Sequence, residues 1–366
     1  ALGWSAEKKD DLFLACLLHD CGISKTVIYD RLVTFEGTNA GNHCSRGAQL
    51  LSESPPLAYL AECVLHHHVN WEELKGIDLP DQVKLFSNCI NLFDVVDFLS
   101  ISYQKEDTNI LVSKENIRLH ISKRSGGVFS PELVDVFLEI SKPEAFWLAL
   151  DKGYNSGYAR SWKAHKTQLK IDFIDLKSIV QIYSRMVDAK SYFTKGHSSG
   201  VANLSRYLGE LFELTEHICD QLELAGLLHD LGKLRIPDNI LDKPDLLNES
   251  EVLTMKRHSY DTYDILKDIN GFENIATWAS QHHERVDGSG YPFQYGKEKL
   301  SLEARIIAVA DVFQSFTQNR PHREKQAPEI ILGILRQQMH EGRLDKDVVL
   351  MIENNLTACC GHACGV

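Results

Sequence analysis

Apolar residues recur at helical spacing through most of this chain. The pattern is clearest at Leu12 to Leu18, Leu222 to Leu228 and Ile306 to Ala310, where apolar positions return every three or four residues. Such spacing is typical of amphipathic helices, whereas the strict alternation expected of strands is scarce here. The sequence therefore predicts an all-α protein.

Small and polar residues interrupt the helical pattern near the middle of the chain. The interruptions fall at residues 125–127, at Lys142-Pro143 and across residues 153–157, and such Gly- and Pro-containing stretches mark loops. At 366 residues the chain is also about twice as long as a usual single domain. We predict a first domain at residues 1–145, a linker at 146–172 and a second domain at 173–366 that opens with a helix from about Phe173 to Ala189.

A short motif occurs twice in the chain. Leu17 to Gly22 reads Leu-Leu-His-Asp-Cys-Gly, and Leu227 to Gly232 reads Leu-Leu-His-Asp-Leu-Gly. Histidines and one aspartate follow each copy in the same order, at intervals that agree to within about five residues: His43, His66-His67-His68 and Asp94 after the first copy, and His258, His282-His283 and Asp311 after the second. This pattern indicates a duplicated helical domain.

The net charge of -12 narrows the range of partners. Affinity for DNA or RNA comes mainly from many Lys and Arg contacts, so we expect no nucleic acid polymer as a partner. The sequence shows no run of about 18 to 20 apolar residues and no apolar leader, so we expect a cytoplasmic protein with no membrane segment. The nine scattered cysteines indicate reduced thiols. An acidic surface with many apolar helices is compatible with a homodimer.

The second copy of the motif carries the candidate chemistry. Adjacent helical residues point about 100° apart, so His229 and Asp230 can converge on a metal pair only if the carboxylate bridges two ions. Lys233 lies on the same helix face. A buried His-Asp pair alone would usually be a satisfied core contact, but four further histidines and Asp311 in the same domain favour a metal site.

The run His282-His283-Glu284-Arg285-Val286-Asp287-Gly288-Ser289-Gly290-Tyr291-Pro292 is the sharpest signal. Two histidines end a helix, and Gly288 and Gly290 permit a positive φ or a close approach before Pro292 stiffens the exit. Together with Thr194 to Ser198, the second His-Asp motif, His258 and Ala310 to Phe313, this run resembles the HD-GYP family of the HD phosphohydrolase superfamily. The resemblance covers roughly residues 175 to 350.

The resemblance implies a specific set of site residues. It implies metal ligation by His197, His229, Asp230, His258, His282, His283 and Asp311, with Asp230 as the bridge and as a catalytic residue. It also implies that Lys233, Arg320 and Arg323 hold the substrate phosphate, with Lys233 taking part in catalysis. A solvated helix end is an equal alternative for the two arginines, and Tyr291 is placed either to stack on a base or to pack.

The same resemblance implies two divalent metal ions. Imidazole and carboxylate ligands suit iron or manganese better than zinc, whose structural sites favour thiolates. Some family members bind a third metal through a Glu four residues before the first ligand; here that position is Phe193, so we predict two ions. Gln314 and Thr262 are further departures, at positions where the family usually has an acidic residue and a Gly.

These residues predict a phosphodiesterase that opens cyclic dinucleotides. Two ions about 3.5 to 4 Å apart lower the pKa of a bridging water, whose hydroxide attacks the phosphorus. Family resemblance implies cyclic di-GMP or 3',3'-cyclic GMP-AMP as substrate and a linear dinucleotide as product; tandem-HD members are associated with the hybrid nucleotide. The alternatives are a general HD nucleotide phosphohydrolase and a cyclic dinucleotide receptor or scaffold without turnover.

The first copy lacks parts that catalysis needs. It keeps His19, Asp20 and the later histidines, but Ile23 stands at the position of Lys233, no Gly-Tyr-Pro loop follows, and the helix carrying a first ligand would precede Ala1. We predict a degenerate HD domain with a regulatory or structural role that docks on the second, and metal binding there is left open. The terminal cysteines, Cys359 to Cys364, are spaced too tightly to enclose one tetrahedral ion.

Overall fold

The structure is a computed structural model that describes residues 2–23, 40–104, 109–150, 162, 170–191, 196–318 and 324–364. Within these residues the regular elements are α-helices and two short 3-10 helices, and the only β pairing consists of two isolated bridges. The prediction of an all-α protein is confirmed.

The helices form two compact units, which are divided between Asp175 and Leu176 in the part of the chain that the structure describes. A helix begins at Phe173, as predicted, and ends at Lys190. Most of the predicted linker at 146–172 lies outside the described residues, so its boundaries stay a prediction.

The first unit contains eight α-helices in its described ranges. These are α1 (Ala6–Leu18), α2 (Ala40–Ser52), α3 (Ala61–Leu65), α4 (Trp71–Leu74), α5 (Asp81–Gln104), α6 (Ile110–Ser122), α7 (Pro131–Ile140) and α8 (Glu144–Leu148). A 3-10 turn, Ala58–Leu60, precedes α3.

The long helix α5 runs through the core of the first unit. Its Leu92 belongs to an apolar cluster with Ile117, Phe137 and Trp147, all at most 2% exposed. By length and composition α5 could cross a membrane, a feature that our reading of apolar runs did not single out, but 61% of its apolar window is buried inside the protein. Burial of this extent is what the core helix of a water-soluble domain shows.

The second unit contains ten α-helices in its described ranges. These are α9 (Phe173–Lys190), α10 (His197–Leu211), α11 (Glu216–Leu228), α12 (Asp238–Leu241), α13 (Glu249–Leu266), α14 (Glu273–Ser280), α15 (Leu302–Phe316), α16 (Pro328–His340), α17 (Lys346–Asn354) and α18 (Leu356–Cys364). A 3-10 helix, Leu231–Arg235, follows α11.

Helices α10 and α15 lie at the centre of the second unit. Helix α10 packs on α11, α15 and α18. Along α15 apolar residues are buried on almost every side, among them Ile306, Ile307 and Phe313, each 0% exposed. Asn248 starts α13 with a complete capping box with Glu251, which satisfies backbone N–H groups that the helix cannot pair itself. This packing holds the helices that carry the candidate ligands.

Candidate metal centre

Seven side chains that the sequence singled out come together inside the second unit. His197 is the first residue of α10, His229 and Asp230 directly follow α11, and His258 lies in the second half of α13. His282 and His283 follow α14, and Asp311 lies in α15. Each side chain therefore comes from a helix or a helix end that is fixed by burial.

Asp230 lies at the middle of this group. Its Oδ1 is 3.5 Å from Nε2 of His258 and 3.8 Å from Nε2 of His282. Its Oδ2 is 3.3 Å from Nε2 of His229 and 3.8 Å from Nε2 of His197. One carboxylate thus presents each of its oxygens to a different pair of imidazoles, which is the arrangement a bridging ligand requires.

Asp311 and His283 extend the two halves of the group. Oδ1 of Asp311 lies 3.2 Å from Nε2 of His197 and 3.8 Å from Nε2 of His229. The ring of His283 lies 5.1 Å from that of His258 and 4.0 Å from that of His282. The result is two donor sets that share Asp230, one towards α10 and α15 and one towards α13 and α14.

Backbone carbonyls orient three of the imidazoles. Each Nδ1 lies against the carbonyl oxygen three residues earlier, at these distances: His229 to Gly226, 2.8 Å; His258 to Met255, 2.6 Å; His282 to Ala279, 2.7 Å. A carbonyl only accepts, so Nδ1 carries the proton and Nε2 presents its lone pair to the centre. Nε2 of His229 is buried without a hydrogen-bond partner, as expected of a donor that awaits an ion.

Gln314 orients the fourth imidazole. Its Oε1 accepts a hydrogen bond from Nδ1 of His197, and both residues are 1% exposed. The amide thereby directs Nε2 of His197 towards Asp311. The sequence marked Gln314 only as a departure from the family pattern; the structure shows that this side chain holds a candidate ligand in place.

Burial and neighbouring charges set the pKa values of the candidate ligands. Burial would raise the pKa of Asp230, but Lys233 and His229 hold it well below its usual range. Burial lowers the pKa of His258 to about 4 and that of His283 to about 3, so both rings are neutral, as metal ligands must be. Burial lowers the pKa of His229 too, but Asp230 outweighs it and raises the value to about 9. Without an ion, Nε2 of His229 is therefore protonated as well, and ligation would displace that proton.

The donor set fits divalent transition-metal ions. Imidazole nitrogens and carboxylate oxygens lie within 4.8 Å of one another in three overlapping groups: His258 with His282 and His283, His197 with His229 and Asp311, and His229 with Asp230 and His282. Nitrogen and oxygen donors of this kind are typical ligands of iron, manganese and zinc.

The turn after α11 packs directly on α13. A Cβ at Gly232 would lie 2.0 Å from the carbonyl oxygen of His258, so only glycine fits there. Oγ1 of Thr262 donates to the carbonyl of His229 at 3.0 Å and accepts from N–H of Gly232 at 2.9 Å. Thr262, the second departure from the family pattern, therefore clamps the His-Asp turn to α13.

A buried carboxylate organises the loop after the His pair. Glu284, 3% exposed, accepts backbone hydrogen bonds from Phe293, Gln294 and Tyr295 at 2.6, 3.1 and 3.1 Å. A Cβ at Gly290 would lie 2.5 Å from both N of Arg285 and Cα of Glu284. Glu284 was assigned no role from the sequence alone. Its position directly after two histidines could have indicated one.

A cavity of about 490 Å³ opens onto the candidate metal ligands. Lys233 lines it and pairs with Oδ2 of Asp230 at 2.5 Å. Tyr291 also lines it, with its ring 4.8 Å from that of His283 and Nζ of Lys256 5.3 Å above it. The volume lies within the usual range for small-molecule sites, about 300 to 1,000 Å³. Sequence reasoning missed Lys256, whose helix position carried no distinctive pattern.

Phe193, Arg320 and Arg323 lie outside the described residues. The predicted phosphate contacts of the two arginines, and the argument from Phe193 for two ions rather than three, therefore stay predictions.

Similarity to known proteins decides the family. A model of the family described as HD domain matches residues 181–348. The 3'3'-cGAMP-specific phosphodiesterase 1 of Vibrio cholerae is 37% identical over 359 residues, which are 97% of this chain and 83% of that protein. This chain belongs to the HD-GYP family of the HD phosphohydrolase superfamily.

Other HD-GYP relatives match over different shares of the chain. The 3'3'-cGAMP-specific phosphodiesterase 3 of Vibrio cholerae is 31% identical over 81% of this chain and 63% of its own length. RpfG of Xanthomonas campestris, a cyclic di-GMP phosphodiesterase response regulator, is 39% identical over 49% of this chain and 49% of its own length.

A solved structure supports the tandem architecture of this HD-GYP protein. The crystal structure of the cyclic GMP-AMP specific phosphodiesterase V-cGAP3 of V. cholerae matches with a TM-score of 0.60 at 25% identity, over 97% of this chain and 89% of that chain. The fold is therefore that of two tandem HD-type helical domains, the second of which is an HD-GYP domain.

Proposed function

We propose that this chain is a metal-dependent phosphodiesterase that opens a cyclic dinucleotide to a linear dinucleotide. One observation carries the proposal: Asp230 presents its two oxygens to two separate sets of imidazoles beside a cavity of about 490 Å³. That arrangement fits a two-ion centre that acts on a phosphodiester.

The proposed ligands divide between two ions. His197, His229 and Asp311 would hold one, His258, His282 and His283 the other, and Asp230 both. Iron or manganese is proposed, since the donors in reach are imidazoles and carboxylates. When bound, such an ion pair supplies Lewis acidity and an activated water for attack on phosphorus.

Lys233 supplies a positive charge beside this centre. Its Nζ pairs with Asp230 and its side chain is 19% exposed, so it reaches both the carboxylate and the cavity. We propose that Lys233 neutralises charge that builds on the phosphate oxygens during the reaction. Arg320 and Arg323 are proposed to assist, and Tyr291, which lines the cavity, is proposed to stack on a base.

Relatives favour 3',3'-cyclic GMP-AMP over cyclic di-GMP as the substrate. The 3'3'-cGAMP-specific phosphodiesterase 1, which is 37% identical, matches over 97% of this chain. RpfG, which is named for cyclic di-GMP, matches over 49% of this chain. Both nucleotides have the size and the charge that the cavity and Lys233 fit, so both belong in the test.

The test uses the purified chain with manganese or ferrous iron, prepared without oxygen. It is incubated separately with 3',3'-cyclic GMP-AMP, cyclic di-GMP and a chromogenic phosphomonoester, and the products are separated by chromatography. We expect a linear dinucleotide from at least one cyclic substrate and none from the Asp230→Ala variant. Tight binding without a product would identify a receptor or scaffold, and turnover of the monoester alone would identify a general HD nucleotide phosphohydrolase.

The cellular setting is proposed from the sequence. We propose a cytoplasmic protein that forms a homodimer and whose first domain has a regulatory or structural role, docking on the second. Sedimentation of the purified chain at several concentrations tests the dimer, and a species that stays monomeric at every concentration would contradict it.

A further inference from the structure

We propose that the first unit holds a metal ion of its own, bound by His43, Cys44, His67 and His68, with Asp20 beside them. The ion has a structural role there and takes no part in hydrolysis. This inference goes beyond the proposed function and does not depend on it, because the residues lie in the other unit.

Distances between side chains in the first unit match those in one half of the centre of the second unit. Nε2 of His43 lies 3.7 Å from Oδ1 of Asp20 and 3.3 Å from Nε2 of His67. The corresponding distances around Asp230 are 3.5 and 3.2 Å. The ring of His68 lies 5.1 Å from that of His43, which equals the separation of the matching rings in the second unit.

The orientation of two imidazoles is also repeated. Nδ1 of His67 donates to the carbonyl of Val64 at 2.6 Å, and Nδ1 of His19 donates to the carbonyl of Cys16 at 2.7 Å. Nε2 of His67 therefore presents its lone pair to the group. Nε2 of His19 is buried without a hydrogen-bond partner, although the ring as a whole is partly exposed.

The two buried imidazoles of His43 and His67 approach each other closely. His43 is 3% exposed and His67 is 0% exposed, and their Nε2 atoms face each other at 3.3 Å. With its proton on Nε2, His43 would donate to His67 and leave its own Nδ1, which has no hydrogen-bond partner among the described residues, as an unpaired buried acceptor, and such groups are costly. With its proton on Nδ1, the Nε2 lone pairs of both rings are free to bind one cation.

The thiol of Cys44 distinguishes this group from the catalytic one. Its Sγ lies 3.5 Å from Nε2 of His43, where the second unit has the hydroxyl of Ser259. Around a tetrahedral zinc ion, Zn–N bonds of about 2.05 Å and Zn–S bonds of about 2.3 Å separate two nitrogens by about 3.3 Å and a nitrogen from a sulfur by about 3.6 Å. The observed 3.3 and 3.5 Å fit such an ion, and because a thiolate donor suits zinc, zinc is the ion that we assign.

The described surroundings of this group do not favour a cyclic dinucleotide. Among the described residues the adjacent cavity is about 180 Å³, and its lining includes Asp20, Asp94 and Asp97 as well as His19, so it is small for a ligand site and has more acidic than basic groups. Ile23 follows the His-Asp pair where the catalytic unit has Lys233. An ion held here therefore stabilises the fold of the first unit, as structural zinc sites do.

The test measures metal in the full chain after chelation and reloading. Zinc per chain is counted by mass spectrometry, and Co²⁺ loaded in its place is examined for the near-ultraviolet band of a cobalt–thiolate bond. We expect His43→Ala with His67→Ala to lose about one ion per chain. We expect Cys44→Ser to retain the ion but lose the thiolate band.

The matched control changes the same positions in the second unit. His258→Ala with His282→Ala should lose catalytic metal and activity, yet keep the cobalt–thiolate band, so a failure of the proposed function leaves this result intact. Circular dichroism establishes whether each variant is folded. If the variant with both His43→Ala and His67→Ala is not folded, the conservative Cys44→Ser variant tests the site instead. A metal content unchanged by the His43/His67 pair, or a thiolate band that survives in Cys44→Ser, would overturn the assignment.

Discussion

Gln314 offers the most direct test of how the proposed catalytic centre is held together. Its Oε1 accepts a hydrogen bond from Nδ1 of His197, a residue 117 positions earlier in the chain. Replacement by leucine keeps the volume of the side chain but removes the acceptor. Replacement by glutamate keeps an acceptor and adds a charge, as in family members that have an acidic residue at this position.

The magnitude follows from burial. Both residues are 1% exposed, so water cannot replace the lost acceptor. A neutral hydrogen bond contributes about 1 kcal/mol, and a buried N–H left without a partner costs about 1 to 3 kcal/mol. His197 would regain a partner by turning its ring, which misdirects Nε2. We therefore expect Gln314→Leu to weaken metal binding about 10- to 100-fold, the usual effect of losing such a partner.

The assay titrates manganese into chelator-treated protein and follows both binding and turnover of the cyclic dinucleotide. Gln314→Leu should need more manganese for half-maximal activity and should recover much of its kcat when manganese is in excess. Gln314→Glu should bind manganese about as well as the wild type. If Gln314→Leu has an unchanged metal requirement, or loses activity that excess manganese does not restore, then Gln314 does not act through His197.

Three further predictions concern the phosphate contact, the loop and the fold of the second unit. Lys233→Ala should lower kcat/KM about 100-fold with metal content unchanged, and an unaltered kcat/KM in steady-state assays would exclude its proposed role. Gly290→Ala places a Cβ 2.5 Å from backbone atoms and should lower both Tm and kcat/KM, whereas the control Gly333→Ala, in a helix with open space around it, should leave Tm unchanged or raised. Burial would raise the pKa of Asp345, but its cationic partners, Arg305 among them, hold that pKa below its usual range. The Asp345 carboxylate therefore stabilises the fold above about pH 4, and this stabilisation is lost as the pH falls below that value. Chemical denaturation should show Asp345→Asn to be less stable by about 2 kcal/mol at neutral pH, and a difference that does not shrink under acid conditions would contradict the linkage.

The sequence predicted the helical fold from its apolar periodicity, and the set of seven side chains from its resemblance to the HD-GYP family. His229 and Asp230 lie where an apolar helix ends, and His282 and His283 lie at the end of another. Residues at helix ends point into the same cleft once the apolar faces are buried. The structure brings these side chains together, while their role as ligands remains the proposal that the metal titrations test.

The supporting contacts could not be predicted because they join distant parts of the chain. Gln314 and Thr262 were read as departures from a family pattern, yet one orients His197 and the other clamps the His-Asp turn. Glu284 binds three backbone N–H groups nine to eleven residues later. A hydrogen bond of this kind leaves no periodic signal in the sequence, since it depends only on which surfaces meet after folding.

On the two proposals above, the copies of the His-Asp motif separate metal binding from catalysis. Both units keep an aspartate between imidazoles at nearly equal distances. Among the described residues, the second unit has a lysine beside the carboxylate and a cavity of about 490 Å³, whereas the cavity of the first unit is about 180 Å³. Since an ion held by a closed set of donors stabilises a domain without any cleft, the first copy could lose its phosphate contacts and keep its donors.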